Sequence, residues 1–217
     1  MEKNIDWQGD TLKILNLCRA WISNTHVVYS SGRHGSDYVN KDFLYAHVKL
    51  FNRISDMLAA ISSVSNPQIV VGASMGGALL ANRVAMRFEE NQFCGMLSAY
   101  AEEETDVRGN RIRVFKREYD RLIAGKKILL VEDICTTGDT IRKLTSAVRK
   151  VGGEIVALAG IWNRGGVNFN DLKISRVKFL INISLCSYLA YECPMCRADI
   201  PINIEVGRGA EFLAKKA

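Results

Sequence analysis

Apolar positions recur along this chain in two rhythms. Over Thr11–Ile22, Leu12, Leu15, Cys18 and Ile22 fall at helical spacing and predict a first helix. Ser30–Asn40 is rich in Ser, Gly and Asp and reads as a loop with a short strand, Tyr38–Asn40. A helix over about Ala46–Ile61 follows, and Asn66-Pro67 marks a break. From there short β-branched runs take turns with helical stretches. Strands are expected at Gln68–Gly72, Gly95–Ala101, Lys127–Val131, Glu154–Trp162 and Lys178–Ile183. Helices are expected at Gly76–Phe88 and Thr140–Val151; the second carries Ile141, Leu144, Val148 and Val151 on one side and stops at Gly152-Gly153. Strand–helix alternation of this kind implies an α/β fold, a mainly parallel sheet flanked by helices on both faces. Ligands in such sheets sit beyond the carboxyl ends of the strands. The loops after Val71 and Val131 are therefore the expected active face.

The second of those loops carries the most specific chemistry. In Ile128-Leu-Leu-Val-Glu-Asp-Ile-Cys-Thr-Thr-Gly-Asp-Thr140, a buried strand runs into two carboxylates, and a Thr-Thr-Gly loop then opens a helix. Glycine allows a tight turn and close backbone approach. The helix start supplies free N–H groups and partial positive charge, and the threonine hydroxyls add donors. Glu132 and Asp133 can accept hydrogen bonds from the vicinal hydroxyls of a ribose. Each piece alone reads as an N-cap or a solvated acid pair. In this order they read as a sugar-phosphate site. It is not a Walker loop, since no GxxxxGK followed by Ser or Thr occurs.

Val70-Val-Gly-Ala-Ser-Met-Gly-Gly77 is a second glycine-rich strand-to-helix turn. Its glycines fit two roles: exposing N–H groups to an anion, or letting helix and strand pack closely. Arg108–Lys127 is basic, with Arg111, Arg113, Lys116, Arg117, Arg121 and Lys126 between. It reads either as a solvated hairpin or as a flap closing over an anionic leaving group.

Composition narrows the class. The 217 residues suit one decorated domain, and 48% hydrophobic with 24% charged residues is ordinary globular composition. No apolar run approaches the ~20 residues of a membrane helix, and the polar opening MEKNIDWQGD does not read as a signal peptide. A cytoplasmic protein is expected. The net charge of +6 suits an anionic ligand, and no nucleic-acid-reading module is evident. Without a secretory signal, the six cysteines are expected to be reduced. Cys193-Pro-Met-Cys196 has zinc-site spacing. No second CxxC or HxxxH accompanies it, only Cys186 lies near in sequence, and a reduced turn in the tail is the plainer expectation.

The Glu132–Thr140 segment closely resembles the signature of the type I phosphoribosyltransferases. The resemblance covers roughly residues 28–205. It implies that Glu132, Asp133, Ile134, Cys135, Thr136, Thr137, Gly138, Asp139 and Thr140 hold the ribose phosphate of 5-phosphoribosyl 1-pyrophosphate (PRPP). It places Ala73, Ser74, Met75, Gly76 and Gly77 on the pyrophosphate, and Lys116 and Arg117 in the basic flap pair that acts in catalysis with Asp133. Mg²⁺ enters with PRPP, with no protein residue assigned to it directly. Three stretches resemble the orotate branch: Ser31-Gly-Arg-His-Gly-Ser-Asp-Tyr-Val-Asn40, Ile161-Trp-Asn-Arg164 and Cys193-Pro-Met-Cys-Arg-Ala-Asp-Ile-Pro201. They imply base contacts from Arg164, Tyr38 and Thr136. A guanidinium suits the orotate carboxylate.

The pattern also departs from that branch. Ser30 stands where a lysine is frequent, Met75-Gly76 where Tyr-Lys is frequent, and no KxHG motif follows Arg117. The resemblance implies one domain over residues 1–217, with a small N-terminal hood, a flap at about 101–121 and a tail at about 184–217. It also implies a homodimer with a shared active site. The expected function is transfer of ribose 5-phosphate to orotate. A purine or xanthine phosphoribosyltransferase, or a non-catalytic PRPP sensor, are the alternatives.

Overall fold

The structure is a computed structural model that describes residues 5–90 and 95–215. In chain order its helices are α1 (Trp7–Leu17), α2 (Lys41–Ala46), α3 (Val48–Ser62), α4 (Ser74–Glu90), α5 (Tyr119–Ile123), α6 (Asp139–Lys150), α7 (Pro194–Arg197) and α8 (Gly209–Ala214). Its strands are β1 (Trp21–Ile22), β2 (Val27–Val28), β3 (His34–Gly35), β4 (Tyr38–Val39), β5 (Ile69–Ala73), β6 (Leu97–Thr105), β7 (Arg111–Val114), β8 (Lys127–Cys135), β9 (Glu154–Asn163) and β10 (Val177–Ile181). Residue contacts divide the chain into two units. One is Met1–Thr11 with Phe51–Ile183; the other is Leu12–Leu50 with Ser184–Ala217.

The first unit holds a six-stranded sheet in the order β10-β9-β8-β5-β6-β7. Five strands run parallel, and β7 closes the edge antiparallel to β6. Strand β5 is buried along its whole length and β8 from Ile128 to Asp133, as expected of strands with helices on both faces. Ile69, Val71, Ile128 and Leu130 pack with Ile141, Leu144 and Val148 of α6 in one cluster. The alternate positions Val70, Leu129 and Val131 are equally buried, which is the period-two signature of a sheet sandwiched between layers. From β5 the chain crosses by α4 to β6 on one side, while β8 lies on β5's other side and leads on to β9 and β10. The order thus reverses between β5 and β8. Crevices form at such switch points, beyond the carboxyl ends of the strands.

The second unit is built from two small antiparallel pairs, β1 with β4 and β2 with β3. The C-terminal segment is sewn onto the second pair. His34 and Tyr188 exchange backbone hydrogen bonds of 2.8 Å, Asn203 donates to the His26 carbonyl and Arg208 to that of Val28.

Several expected boundaries move. The first helix starts earlier, at Trp7, and ends at Leu17, because Trp21–Ile22 pairs as a strand with Tyr38–Val39. The helix expected over about Ala46–Ile61 is α3, and a separate short helix, α2, precedes it and ends at His47, where the backbone leaves the helical region. The loop at Ser30–Asn40 contains β3 as well as β4. Strand β6 continues to Thr105, four residues beyond the expected end, because β7 pairs with its polar half.

Candidate active site

Strand β8 carries its acid pair inside the sheet rather than after it. Ile134 pairs with Trp162 and Cys135 with Asn163 of β9, so the ladder extends four residues past Val131. Glu132 and Asp133 are only 7% and 3% exposed. Asp133 accepts the Ile134 N–H at 2.6 Å. Thr136 and Thr137 are exposed, and Gly138 turns the chain at φ 78° as the N-cap of α6. A side chain at Gly138 would collide with Arg142, Phe169 and Val167, each within 3 Å. The loop encloses a hollow of ≈ 30 Å³ lined by Glu132, Ile134–Cys135 and Thr136–Ile141. Wider hollows exist, one of ≈ 610 Å³ beside Phe169 and Phe179. The small one has the anion-binding chemistry: a helix start, two hydroxyls and a glycine turn.

Two neighbours hold this loop in shape, and only one of them, Arg164, stands out in the sequence. Arg142 donates to the Thr137 carbonyl (3.0 Å), to the Asn168 carbonyl (3.3 Å) and to Asp171 (2.9 Å), and lies 5.6 Å over the Phe169 ring. Its place in the first turn of an amphipathic helix gave no sign of that role. The turn after β9 is the other neighbour. Arg164 and Gly165 both donate backbone N–H groups to the Cys135 carbonyl, at 2.9 and 3.2 Å. Only glycine fits at 165, since a Cβ there would sit 1.6 Å from the Thr136 oxygen. Asn163 folds back on Val167 through two side-chain bonds of 2.9 and 3.0 Å and fixes the turn that presents the half-buried Arg164. The structure therefore brings the Arg164 backbone to the edge of the Thr136 loop.

The Cys135 thiol sits in the loop but is chemically quiet. Burial, helped by the charge on Glu132, pushes it up to about 11. A buried neutral thiol is a poor nucleophile.

At the neighbouring strand end, α4 begins at Ser74 rather than Gly76, and Ser74 itself has φ 59°. Gly72 and Gly77 serve the packing role: a Cβ on Gly72 would lie 2.1 Å from the Gly77 carbonyl. That contact presses strand and helix together and leaves Ser74 and Met75 exposed at the helix start. Arg113 of β7 reaches this turn, donating to Ser74 Oγ at 2.7 Å and pairing with Glu103 at 3.1 Å. In the sequence Arg113 is one of many basic residues between Arg108 and Lys127, and nothing there distinguishes it.

The expected flap is the β6–β7 hairpin with its Asp106–Asn110 turn. Lys116 and Arg117 follow β7, and both are held by β6. Lys116 pairs with Glu104 at 2.8 Å and Glu102 at 3.3 Å. Arg117 pairs with Glu102 and with the Tyr100 hydroxyl. Arg117, then Lys116, hold the Glu102 carboxyl below the usual range. Glu104, then Glu102, raise the Lys116 ammonium. The flap cations thus rest on carboxylates of their own hairpin. Tyr38, the expected stacking residue, lies in the second unit, half-exposed in β4 opposite Ile22.

Comparison with known proteins gives the family. The Phosphoribosyl transferase domain family matches residues 41–185. The chain belongs to that phosphoribosyltransferase family. A curated relative, the orotate phosphoribosyltransferase of Caldicellulosiruptor bescii, is 32% identical over 177 residues, which cover 82% of this chain and 86% of the relative. The crystal structure of orotate phosphoribosyltransferase from Aeropyrum pernix shares the fold, with TM-score 0.63 and 20% identity over 78% of this chain and 92% of that one. So does the Mycobacterium tuberculosis enzyme in complex with PRPP, with TM-score 0.54 and 16% identity over 83% and 96%.

Proposed function

We propose that this chain is an orotate phosphoribosyltransferase, which converts PRPP and orotate to orotidine 5′-monophosphate and pyrophosphate in de novo pyrimidine synthesis. The observation that carries the reading is the continuous path from the buried Glu132–Asp133 pair through the Gly138 turn into α6, with Arg164 docked on its edge. The helix start and threonine hydroxyls take the 5-phosphate, and the acid pair takes the ribose hydroxyls. The Ser74–Gly77 turn takes the pyrophosphate. Arg164 and Thr136 take the base.

The reaction is a displacement at the anomeric carbon. The C1–O bond to pyrophosphate breaks as a ring nitrogen of orotate bonds to C1 and gives up its proton to the departing pyrophosphate or to solvent, and the ribose passes through oxocarbenium character. Glu132 and Asp133 fix the sugar against that change in geometry. Lys116 and Arg117 neutralise the leaving group once they exchange Glu102 and Glu104 for phosphate oxygens. The site suits Mg²⁺, a hard cation that takes oxygen ligands, because two carboxylates meet the expected ribose hydroxyls at one strand end. Bound with PRPP, it supplies charge neutralisation at the pyrophosphate.

The proposal includes a cytoplasmic homodimer with a shared active site, on the strength of the flap resemblance. Among the described residues, no helix is long and apolar enough to cross a membrane. The test is a nucleobase panel of orotate, hypoxanthine, guanine, adenine and xanthine with PRPP and Mg²⁺, read by pyrophosphate release. Release with orotate alone is expected. Release with a purine and none with orotate moves the chain to another branch, and no release with any base leaves a sensor.

A further inference from the structure

We propose that the second unit is a zinc-binding module, with one Zn²⁺ held by His26, His34, Cys193 and Cys196. Nothing in the transfer chemistry uses these residues. Their four ligand atoms lie within 4.8 Å of one another.

The local folding explains why they meet. His26 immediately precedes β2 and His34 opens β3. In the antiparallel register Val28 faces His34, so His26, two residues before Val28, is His34's diagonal neighbour on the same face. Cys193 is the N-cap of α7 and Cys196 lies within its single turn, with Pro194 at the first helical position. Spacing of three residues puts both thiols on one side of that turn. The tail's hydrogen bonds to β2 and β3 then bring the thiols over the imidazoles.

Three of the six separations among these atoms match the edges of a zinc tetrahedron, and all lie within 4.8 Å. Zinc bonds of ~2.0–2.1 Å to nitrogen and ~2.3 Å to sulfur give tetrahedral edges of roughly 3.3–3.8 Å. Cys193 Sγ and Cys196 Sγ each lie 3.6 Å from His26 Nε2, and Cys196 Sγ lies 3.4 Å from His34 Nδ1. The two imidazole nitrogens are 2.9 Å apart, a few tenths of an ångström inside the expected edge. His26 is also set up as a ligand. Its Nδ1 is 2.7 Å from the Ile200 carbonyl, which can only accept, so Nδ1 carries the proton and Nε2 presents its lone pair inward.

Donor set and burial select the metal. Two thiolates with two neutral imidazoles suit Zn²⁺ rather than a hard cation. They also cancel its charge, so the centre can be buried without a counterion. His26 is 2% exposed, and His34 and Cys193 are fully buried, while partly exposed Cys196 gives an entry path. Four protein ligands leave no open position, which makes the site structural rather than catalytic. Its effect is to clamp the tail at Cys193–Cys196 to the β2–β3 hairpin.

The test is metal analysis of the full-length protein purified under reducing conditions, followed by exchange of Co²⁺ into chelator-treated protein. The expected results are one equivalent of zinc per chain and intense tetrahedral cobalt bands with a thiolate charge-transfer band. Thermal midpoint should fall on chelation and return with Zn²⁺. Cys193→Ser with Cys196→Ser should lose the metal. Wild-type protein that is metal-free, takes up no Co²⁺ and keeps its midpoint in chelator overturns the proposal and leaves a hydrogen-bonded His–Cys cluster. Retention of a full equivalent by the double variant overturns it too. The wild-type measurements do not depend on how the variant folds, and none of them requires orotate turnover.

Discussion

Cys135 shows how one residue's environment decides its chemistry. It lies between the acid pair and the phosphate loop, where a reactive thiol would be exposed to every substrate. Burial keeps it protonated to about 11. An aromatic disulfide reagent at neutral pH should therefore label exposed Cys186 quickly and Cys135 only on unfolding, as read by peptide mass mapping. Fast labelling of Cys135 in folded protein would contradict its burial. Arg164 is the second residue-scale case. Replacing it with alanine should raise the orotate KM by about 10²-fold or more, the cost of leaving a charged partner unpaired, and leave the PRPP KM within about threefold. Orotate kinetics unchanged in Arg164→Ala would discard the base contact and keep the donor site. The role of Arg164 was readable because it ends an apolar strand on the active face. That of Arg142 was not, because its partners Asn168 and Asp171 come from a loop 26 and 29 residues away.

At the level of elements, the phosphate loop and the flap behave differently. The loop is braced, and Arg142→Met removes its ties to Thr137, Asn168 and Asp171. A lost charge-assisted hydrogen bond is worth ~1.5–3 kcal/mol, so donor affinity should fall roughly tenfold to a hundredfold. Calorimetric titration with PRPP measures this, and unaltered affinity would mean the brace does not shape the site. The flap is latched by exposed pairs. Lys116→Ala and Arg117→Ala should shift stability by no more than about 0.5 kcal/mol yet lower kcat ~10²-fold; full turnover in both would remove them from the mechanism.

The latch has a definite pH range. Glu102 is depressed by Arg117 and then Lys116, so its contribution is complete above a free glutamate's ~4.3 and is lost as pH falls through the lowered value. Lys116 is raised, so its contribution is complete below ~10.4 and is lost as pH rises through the raised value. Carboxyl-carbon NMR should find Glu102 titrating below a free glutamate's ~4.3, and moving up toward it in Arg117→Ala. A normal midpoint in the wild type would deny the pairing.

Element boundaries were least legible where partners, not local pattern, decide. Polar Glu102–Thr105 and Glu132–Asp133 do not read as strand, and both become strand because β7 and β9 pair with them. The strand at Trp21–Ile22 was read as helix for the same reason.

For the molecule as a whole, the alternation of strands and helices over residues 68–183 was enough to give the layered sheet and its active face. That stretch is dominated by local βα units, whose rhythm survives in sequence. The second unit was not legible, because its β2–β3 hairpin and its tail are more than 150 residues apart in sequence. No HxxxH spacing marks these histidines, because His26 and His34 converge across a hairpin, where spacing follows strand register rather than helical repeat.

The central claim is that the acid pair and the loop after it hold the ribose phosphate of the donor. Its most direct test is the rate of orotidine 5′-monophosphate formation from PRPP and orotate by wild type and by Glu132→Gln with Asp133→Asn, alongside circular dichroism and PRPP titration. Amides in place of carboxylates forfeit charge-assisted bonds of ~1.5–3 kcal/mol each, so the account expects donor affinity and kcat/KM to collapse by at least about 10²-fold in a protein that remains folded. A folded double variant that binds PRPP and turns over like the wild type would contradict it.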